Sequence, residues 1–322
     1  MPRTRLRDFI ITHDDWIFAV ADYCHEKGVR SILRYVPDAM GERGKHKKYR
    51  KLDFDAAFEF MKAARPEWVS DVHIVPWDCV RQVLAPSSGL ALVAAENSKV
   101  RAIVSTLSSI PPDKMGVTGS LLAGLENESS DIDFIVYGRS WFKARDIIAR
   151  AKKEKNPIAE ISDQMWHEIY KKRKPELSFD EFLTHEKRKG NRGMVGETYF
   201  DLLYVRDWEE IAPCLRGVDA GARTIEAVVT NADFSFDSPA IYKIRHPDIS
   251  YVLSYTHTYV GSRPLRAPPK PRRRRRKSSR TPKQPPVLIL GRRRTPAREF
   301  AGRVALQSSR NRNPNCETKN TG

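Results

Sequence analysis

The sequence lacks any run of about 20 apolar residues, the length that spans a bilayer. No membrane-crossing helix is therefore expected among its 322 residues. The charged start, Met1 to Asp8, is not followed by an apolar stretch of signal-peptide type, so a cytoplasmic protein with no membrane partner is expected. Cysteine is scarce. Cys24, Cys79, Cys214 and Cys316 lie far apart, which argues against a close-paired zinc site and a disulfide framework and implies reduced thiols. The eight histidines include no H-x-x-x-H pair, so no histidine metal motif is present.

The first 261 residues also lack a charge imbalance. The formal net charge is +17, but Ser262 to Gly322 alone hold 19 Lys or Arg against 2 Asp or Glu. That leaves 38 basic and 38 acidic residues for positions 1–261. An electrostatic case for nucleic-acid binding therefore applies only to the tail, which would bind nucleic acid non-specifically.

Four segments are expected. Residues 1–95 read as a small N-terminal α/β-mixed unit. Phe9-Ile10-Ile11 and Trp16 to Val20 form a hairpin around His13-Asp14-Asp15, Val29 to Val36 a strand, and Asp55 to Ala64 a helix. Gly41 to Lys51 is basic and Gly-interrupted and reads as a solvated loop or else as a contact to phosphate. Residues 96–210 form the second unit. It has a helix over Val100 to Leu107 and a short strand, Met115 to Thr118, before Gly119-Ser120. A short helix over Leu121 to Leu125 and a strand from Asp131 to Tyr137 follow. Ser140 caps a helix over Trp141 to Lys153, Pro157 opens another through about Lys172, Ser178 and Glu181 have capping-box spacing, and Glu197 to Val205 is a strand. Residues 211–261 form a β-rich appendage with strands at Ile225, Ala240 and Tyr251. Residues 262–322 hold nine of the 21 prolines and the run Arg272 to Arg276, a composition that stays disordered. That tail is either a genuine basic segment or the product of a frameshift near codon 261.

The chemistry concentrates in Gly116-Val117-Thr118-Gly119-Ser120 and Asp131-Ile132-Asp133-Phe134. Residues two apart on a strand share a face, so Asp131 and Asp133 point together while Ile132 and Phe134 enter the core. Two adjacent carboxylates repel unless a cation lies between them. Hard oxygen ligands with room for waters and phosphates suit Mg²⁺, with Mn²⁺ as a substitute. Two such ions, about 3.5–4 Å apart, would clamp the attacking and leaving oxygens of a phosphoryl-type displacement. Gly119 lets the backbone approach a phosphate, and Ser120 can begin a helix whose free N–H groups favour an anion.

This pattern resembles the nucleotidyltransferase superfamily that includes DNA polymerase β, the CCA-adding enzymes and the aminoglycoside nucleotidyltransferases. Thr118 stands where an apolar residue is usual. The resemblance implies an α+β fold: a polymerase-β-like core of mixed sheet with helices, flanked by the N-terminal and β-rich units. It also implies a third metal-binding carboxylate on a later strand. Asp201, in Thr198-Tyr-Phe-Asp201-Leu-Leu-Tyr-Val205, is the best match. In the family this acid also assists deprotonation of the acceptor hydroxyl. Over residues 5–261 the chain looks like a set of predicted archaeal nucleotidyltransferases. Arg7-Asp8-Phe9-Ile10, Leu33-Arg34-Tyr35-Val36-Pro37, Tyr49-Arg50-Lys51-Leu52 and Phe234-Ser235-Phe236-Asp237-Ser238-Pro239-Ala240 carry that likeness.

The basic stretch Lys187 to Arg192 precedes the Asp201 strand. It is either a solvated helix end or, through Lys189 or Arg192, a contact to the triphosphate or acceptor. The expected activity is transfer of NMP from an NTP to an RNA end, a protein or a small molecule, with pyrophosphate released. The alternative is an inactive nucleotide- or RNA-binding module with the same fold.

Overall fold

The computed structural model describes residues 3–175, 177–211 and 225–255, and beyond them the backbone of two short strands at Val287–Leu290 and Val304–Ala305. The chain is an α+β protein.

In the N-terminal unit the strands are β1 (Phe9–Thr12), β2 (Ile17–Val20), β3 (Val29–Pro37), β4 (Tyr49–Lys51), β5 (His73–Val75) and β6 (Val80–Leu84), with helix α1 (Phe54–Ala64). They form one antiparallel sheet in the order β4-β3-β2-β1-β6, with β5 also on β3. The hairpin expected around His13-Asp14-Asp15 is present, and Asp15 takes a left-handed conformation in its turn (φ 60°). Side-chain alternation gives this sheet two buried faces. Ile10, Phe18, Val20 and Leu33 pack under Ala57 and Met61 of α1 and under Trp68. Phe9, Ile17, Tyr35 and Tyr49 face the other way. Asp53 caps α1 by accepting from the Ala56 N–H at 2.8 Å. The solvated loop expected over Gly41 to Lys51 ends instead in β4, because Tyr49 buries its ring and Lys51 pairs with Tyr35 of β3.

The central unit contains α2 (Pro86–Glu96), α3 (Ser98–Thr106), β7 (Met115–Val117), α4 (Gly119–Ala123), β8 (Ile132–Tyr137) and α5 (Ser140–Glu154). After these come β9 (Ile158–Ala159), α6 (Asp163–Arg173), α7 (Phe179–Lys189), β10 (Arg192–Val195) and β11 (Thr198–Val205). The sheet order is β7-β8-β11-β10-β9, mixed, with β8 and β11 parallel. Its core is built on Val117, Phe134, Val136, Trp141, Ile148, Phe200 and Leu202. Helix α2 lies before position 96 yet packs on β7 and α4 of this unit. The Ser178–Glu181 capping box forms as expected. The helix expected to start at Pro157 does not: Ile158 pairs with Val195 in the sheet, so the chain is extended there, and α6 begins at Asp163 under a Ser162 cap.

The third unit has β12 (Ile225–Glu226), β13 (Val228–Phe234), β14 (Ala240–Arg245), β15 (Tyr251–Ser254), β16 (Val287–Leu290) and β17 (Val304–Ala305). Strands β13, β14, β15 and β16 form one sheet, and β12 pairs with β17. The disordered tail expected after Gly261 otherwise lies outside the described residues. Buried contacts join the three units. Tyr23 Oη donates to Asp237 Oδ1 at 2.7 Å, Arg206 Nε donates to Asp237 Oδ2 at 2.7 Å, and the Phe236 ring lies 4.2 Å from that of Trp141. The expectation of reduced thiols throughout is corrected at Cys24, which is disulfide-bonded; Cys79 is free. Among the described residues no helix is long and apolar enough to cross a membrane.

Candidate active site

Two adjacent strands of the central sheet and the turn before α4 build the site. The Thr118 N–H donates to the Asp133 carbonyl at 2.9 Å, which sets the β7–α4 turn beside β8. Gly119 then takes a left-handed conformation (φ 70°), and a Cβ placed there would lie 2.5 Å from Asp133 Oδ2. Glycine is required at that point for both reasons. Ser120 is half-buried in the first turn of α4, and Gly124 closes the helix in the left-handed region (φ 64°). The chain re-enters the sheet through a turn in which the Ser130 N–H donates to the Asn127 carbonyl and Ser130 Oγ accepts from the Asn127 N–H, each at 2.9 Å.

Asp131 is exposed just before β8, and Asp133 is half-buried within it. Asp201 of β11 is the register partner of Asp133 across the parallel pair, so these two carboxylates share one face of the sheet, and Asp131 lies close enough to act on Asp133. Their charges interact. Burial pushes the Asp133 carboxyl up to about 6; Arg7 and Arg34 act downward, and Asp201 and Asp131 act upward.

Asp201 is treated differently. Burial acts upward on it too, but Arg192 and Arg173 outweigh burial and hold it below the usual carboxylate range. Arg192 Nε donates to Asp201 Oδ1 at 2.5 Å, and Arg173 Nη2 lies 3.9 Å from Oδ2. Lys189 and Arg192, read as contacts for triphosphate or acceptor, are brought to this site as buried partners of acids. Both pair with Glu186, which is fully buried, and Arg173 approaches the same carboxylate at 3.3 Å. Burial pushes the Lys189 ammonium down to about 7. Glu186 and Arg173 were not singled out from sequence, because helical spacing alone does not show which end of α6 or α7 meets β11.

The N-terminal sheet closes the other side. Leu122, Ala123 and Leu125 pack against Phe9, Ile17, Tyr35 and Tyr49. Thr118 Oγ1 donates to the Arg7 carbonyl at 2.7 Å, and Arg43 Nη1 donates to Ser130 Oγ at 2.9 Å.

Asp131 and Asp133 have the chemistry of Mg²⁺ ligands: hard oxygens of like charge whose crowding a cation relieves. Asp201 is the nearest further carboxylate and is engaged by Arg192. In this arrangement no group of three or more His, Cys, Asp or Glu is gathered to hold a metal among the described residues. The fit is therefore to Asp131 and Asp133, while Asp201 is engaged by Arg192.

Residues 98–187 match the family described as nucleotidyltransferase domain, a span that covers Gly119, Ser120, Asp131 and Asp133 and stops before Asp201. Across a longer stretch the chain is 36% identical over 295 residues to an uncharacterized protein, MJ1086, of Methanocaldococcus jannaschii. That match takes in 80% of this chain and 86% of the relative. The chain belongs to one family with this relative, and residues 98–187 are its nucleotidyltransferase domain. No solved structure matches it.

Proposed function

We propose that the protein transfers NMP from an NTP to an acceptor hydroxyl with Mg²⁺ at Asp131 and Asp133, releasing pyrophosphate. The observation that carries this reading is the juxtaposition of Gly119 with Asp133. A left-handed glycine without a side chain lies against a carboxylate, and beside them Ser120 opens α4. A phosphate chain can approach the backbone there, where Asp131 and Asp133 would hold a cation that neutralises its charge.

The acceptor oxygen forms a bond to the α-phosphorus, its proton leaves to a base or water, and the bond to the bridging oxygen breaks with pyrophosphate. When bound, Mg²⁺ supplies charge neutralisation for the phosphate oxygens. The chain's own contribution is positioning and fixed charge. Gly119 and Ser120 hold the phosphates, Asp131 and Asp133 fix the cation, and Asp201 is held charged, opposite Asp133, for a role as third ligand. The acceptor is an RNA end, a protein side chain or a small molecule. The balanced charge of residues 1–261 gives no support to an extended RNA surface.

A second reading, a nucleotide-binding module without turnover, draws on the Arg192–Asp201 pair, which occupies the third carboxylate. Incubation of the full chain with α-labelled NTP, Mg²⁺ or Mn²⁺, and total cell RNA or protein separates the two. Label transfer by the wild type and its loss in Asp131→Asn is the expected result. If wild type and variant both fail to transfer label, the enzyme reading is overturned.

A further inference from the structure

The N-terminal sheet brings unpaired cations to the carboxylates of the central unit, and they come from segments that the reaction outlined above does not use. In β3 the register against β2 moves from Tyr35 opposite Ile17 to Leu33 opposite Phe18, leaving Arg34 as an extra residue. Such a bulge bends a strand and re-aims a side chain. Here the neighbouring Tyr35 lies on the face that packs against Leu122, Ala123 and Leu125 around α4. Lys51 of β4 is the register partner of Tyr35 and so projects to that same face. Arg7 sits beside the site loop through the bond from Thr118 Oγ1 to its carbonyl. Lys172 comes from the last turn of α6, on the opposite unit.

Charge interactions agree with this placement. Arg7 and Arg34 act on Asp133, and Arg34, Arg43 and Lys172 together with Asp131 act on Lys51. Burial and those three cations lower the Lys51 ammonium from its ordinary range.

Three buried arginines elsewhere in the fold are matched with acids: Arg30 with Asp22 and Asp71, Arg192 with Asp201 and Glu186, Arg206 with Asp237. Among the described residues Arg7, Arg34, Lys51 and Lys172 form no ion pair, and Arg7 Nε is a buried N–H without a hydrogen-bond partner. Arg7 and Arg34 thus act on Asp133, Lys51 lies by Asp131, and Lys172 adds a further positive charge beside Lys51, while Asp201 is already matched. Like charges converging without a counter-charge are costly. The missing counter-charge is an anion, and a chain of phosphates held beside Gly119 and Ser120 would supply it.

We propose that Arg34 and Lys51 of the N-terminal sheet, with Arg7 and Lys172, hold the β- and γ-phosphates of the bound NTP. The N-terminal unit is then a wall of the nucleotide site. The inference rests on the nucleotidyltransferase reading for the identity of the ligand, but its chemistry requires only a polyphosphate.

The test is calorimetric titration of the full chain with inorganic tripolyphosphate and Mg²⁺. Wild type is compared with R34Q, K51Q, the double variant R34Q/K51Q, R34K, and K153Q as a remote surface control. Arg34 is half-buried and Lys51 exposed, so folding is checked by thermal melting before titration. Each glutamine variant should bind about tenfold more weakly or worse, the range of one hydrogen bond to a charged group. R34K should keep part of the loss back, and K153Q should match wild type. Binding by R34Q/K51Q as tight as wild type, or no binding by wild type, overturns the proposal. Tripolyphosphate binding that depends on Arg34 and Lys51 without any label transfer leaves this site standing and removes the enzyme reading. Label transfer with an NTP KM unchanged in R34Q/K51Q does the reverse.

Discussion

Asp133 and Asp201 are register partners across the one parallel strand pair of the central sheet, and their surroundings drive their carboxyls in opposite directions. Burial pushes Asp133 up to about 6, with Asp201 contributing to the rise, whereas Arg192 and Arg173 hold Asp201 down against its own burial. Two adjacent acids with separated titrations are a usual device for keeping one of them charged. Replacing Asp201 by Asn removes a negative neighbour and releases Arg192. Both effects favour the ionised form of Asp133, so its midpoint in the metal-free protein should fall below about 6. Carboxyl carbon NMR against pH reads this directly. An unmoved midpoint would show that the two side chains do not interact.

Gly119 and Gly124 provide a matched pair at the two ends of α4. Both have positive φ, but a Cβ at Gly119 meets Asp133 Oδ2 at 2.5 Å, while at Gly124 nothing lies within 4 Å. Gly124→Ala should cost only left-handed strain, about 1–2 kcal/mol, and leave label transfer nearly intact. Gly119→Ala adds the displacement of the Asp133 carboxylate. It should lower kcat/KM about a hundredfold or more, with a thermal midpoint near that of Gly124→Ala. Equal activity in the two variants would detach Gly119 from the site.

How much of this was legible in the sequence depended on whether the cause was local. Gly119, Ser120, Asp131 and Asp133 stand out because strand period two and helix-start chemistry act over a few residues. The hairpin at His13 to Asp15 and the Ser178–Glu181 box were readable for the same reason. Asp201 was reachable only through the family likeness, since no local rule places it opposite Asp133. Lys189 and Arg192 were visible as a basic stretch; the Lys189–Glu186 pair is a local i,i+3 contact within α7, but the meeting of Arg192 with Glu186 depends on how α7 packs on β10. Arg34 was quoted without a role: the bulge that re-aims it appears only when β2 and β3 are paired. Pro157 misled because a proline suits a helix start and an extended entry to a strand equally well. The sheet, through Ile158 and Val195, decided between them.

Asp237 should be the most costly single polar residue to remove from the junction of the three units. It is fully buried, accepts from Tyr23 Oη and Arg206 Nε at 2.7 Å each, and sits in the Phe234 to Ala240 segment that presses Phe236 onto Trp141. Asp237→Ala leaves the buried Arg206 guanidinium without its carboxylate, a change that costs about 3–5 kcal/mol. Asp237→Asn keeps an acceptor for one partner and should cost less. Urea unfolding of both variants tests the order; a loss under about 1 kcal/mol for the alanine variant would mean that solvent reaches Arg206.

Two buried groups of the N-terminal unit make opposite demands on pH. His73 is fully buried, its Nδ1 accepts from the Leu33 N–H at 3.0 Å, and burial lowers its pKa to about 4. Below its unfolded pKa of about 6.5 the unfolded chain takes up a proton that the folded chain refuses. Stability is thus present above that pH and lost as pH falls toward 4, by up to about 3 kcal/mol. Burial raises Asp8 to about 6, despite bonds from Arg5 N–H and Thr4 Oγ1. Here the folded chain holds the extra proton between about 4 and 6, and stability is gained as pH falls through that window. The two slopes oppose each other, and Asp133, also raised to about 6, adds a gain on acidification that both variants keep. Relative to wild type, His73→Asn should gain more stability between pH 6 and pH 4, and Asp8→Asn should gain less. Urea midpoints at pH 6 and pH 4 for the three proteins read the slopes separately from any constant cost of substitution. Parallel pH profiles for all three would mean that neither group is buried in its stated form.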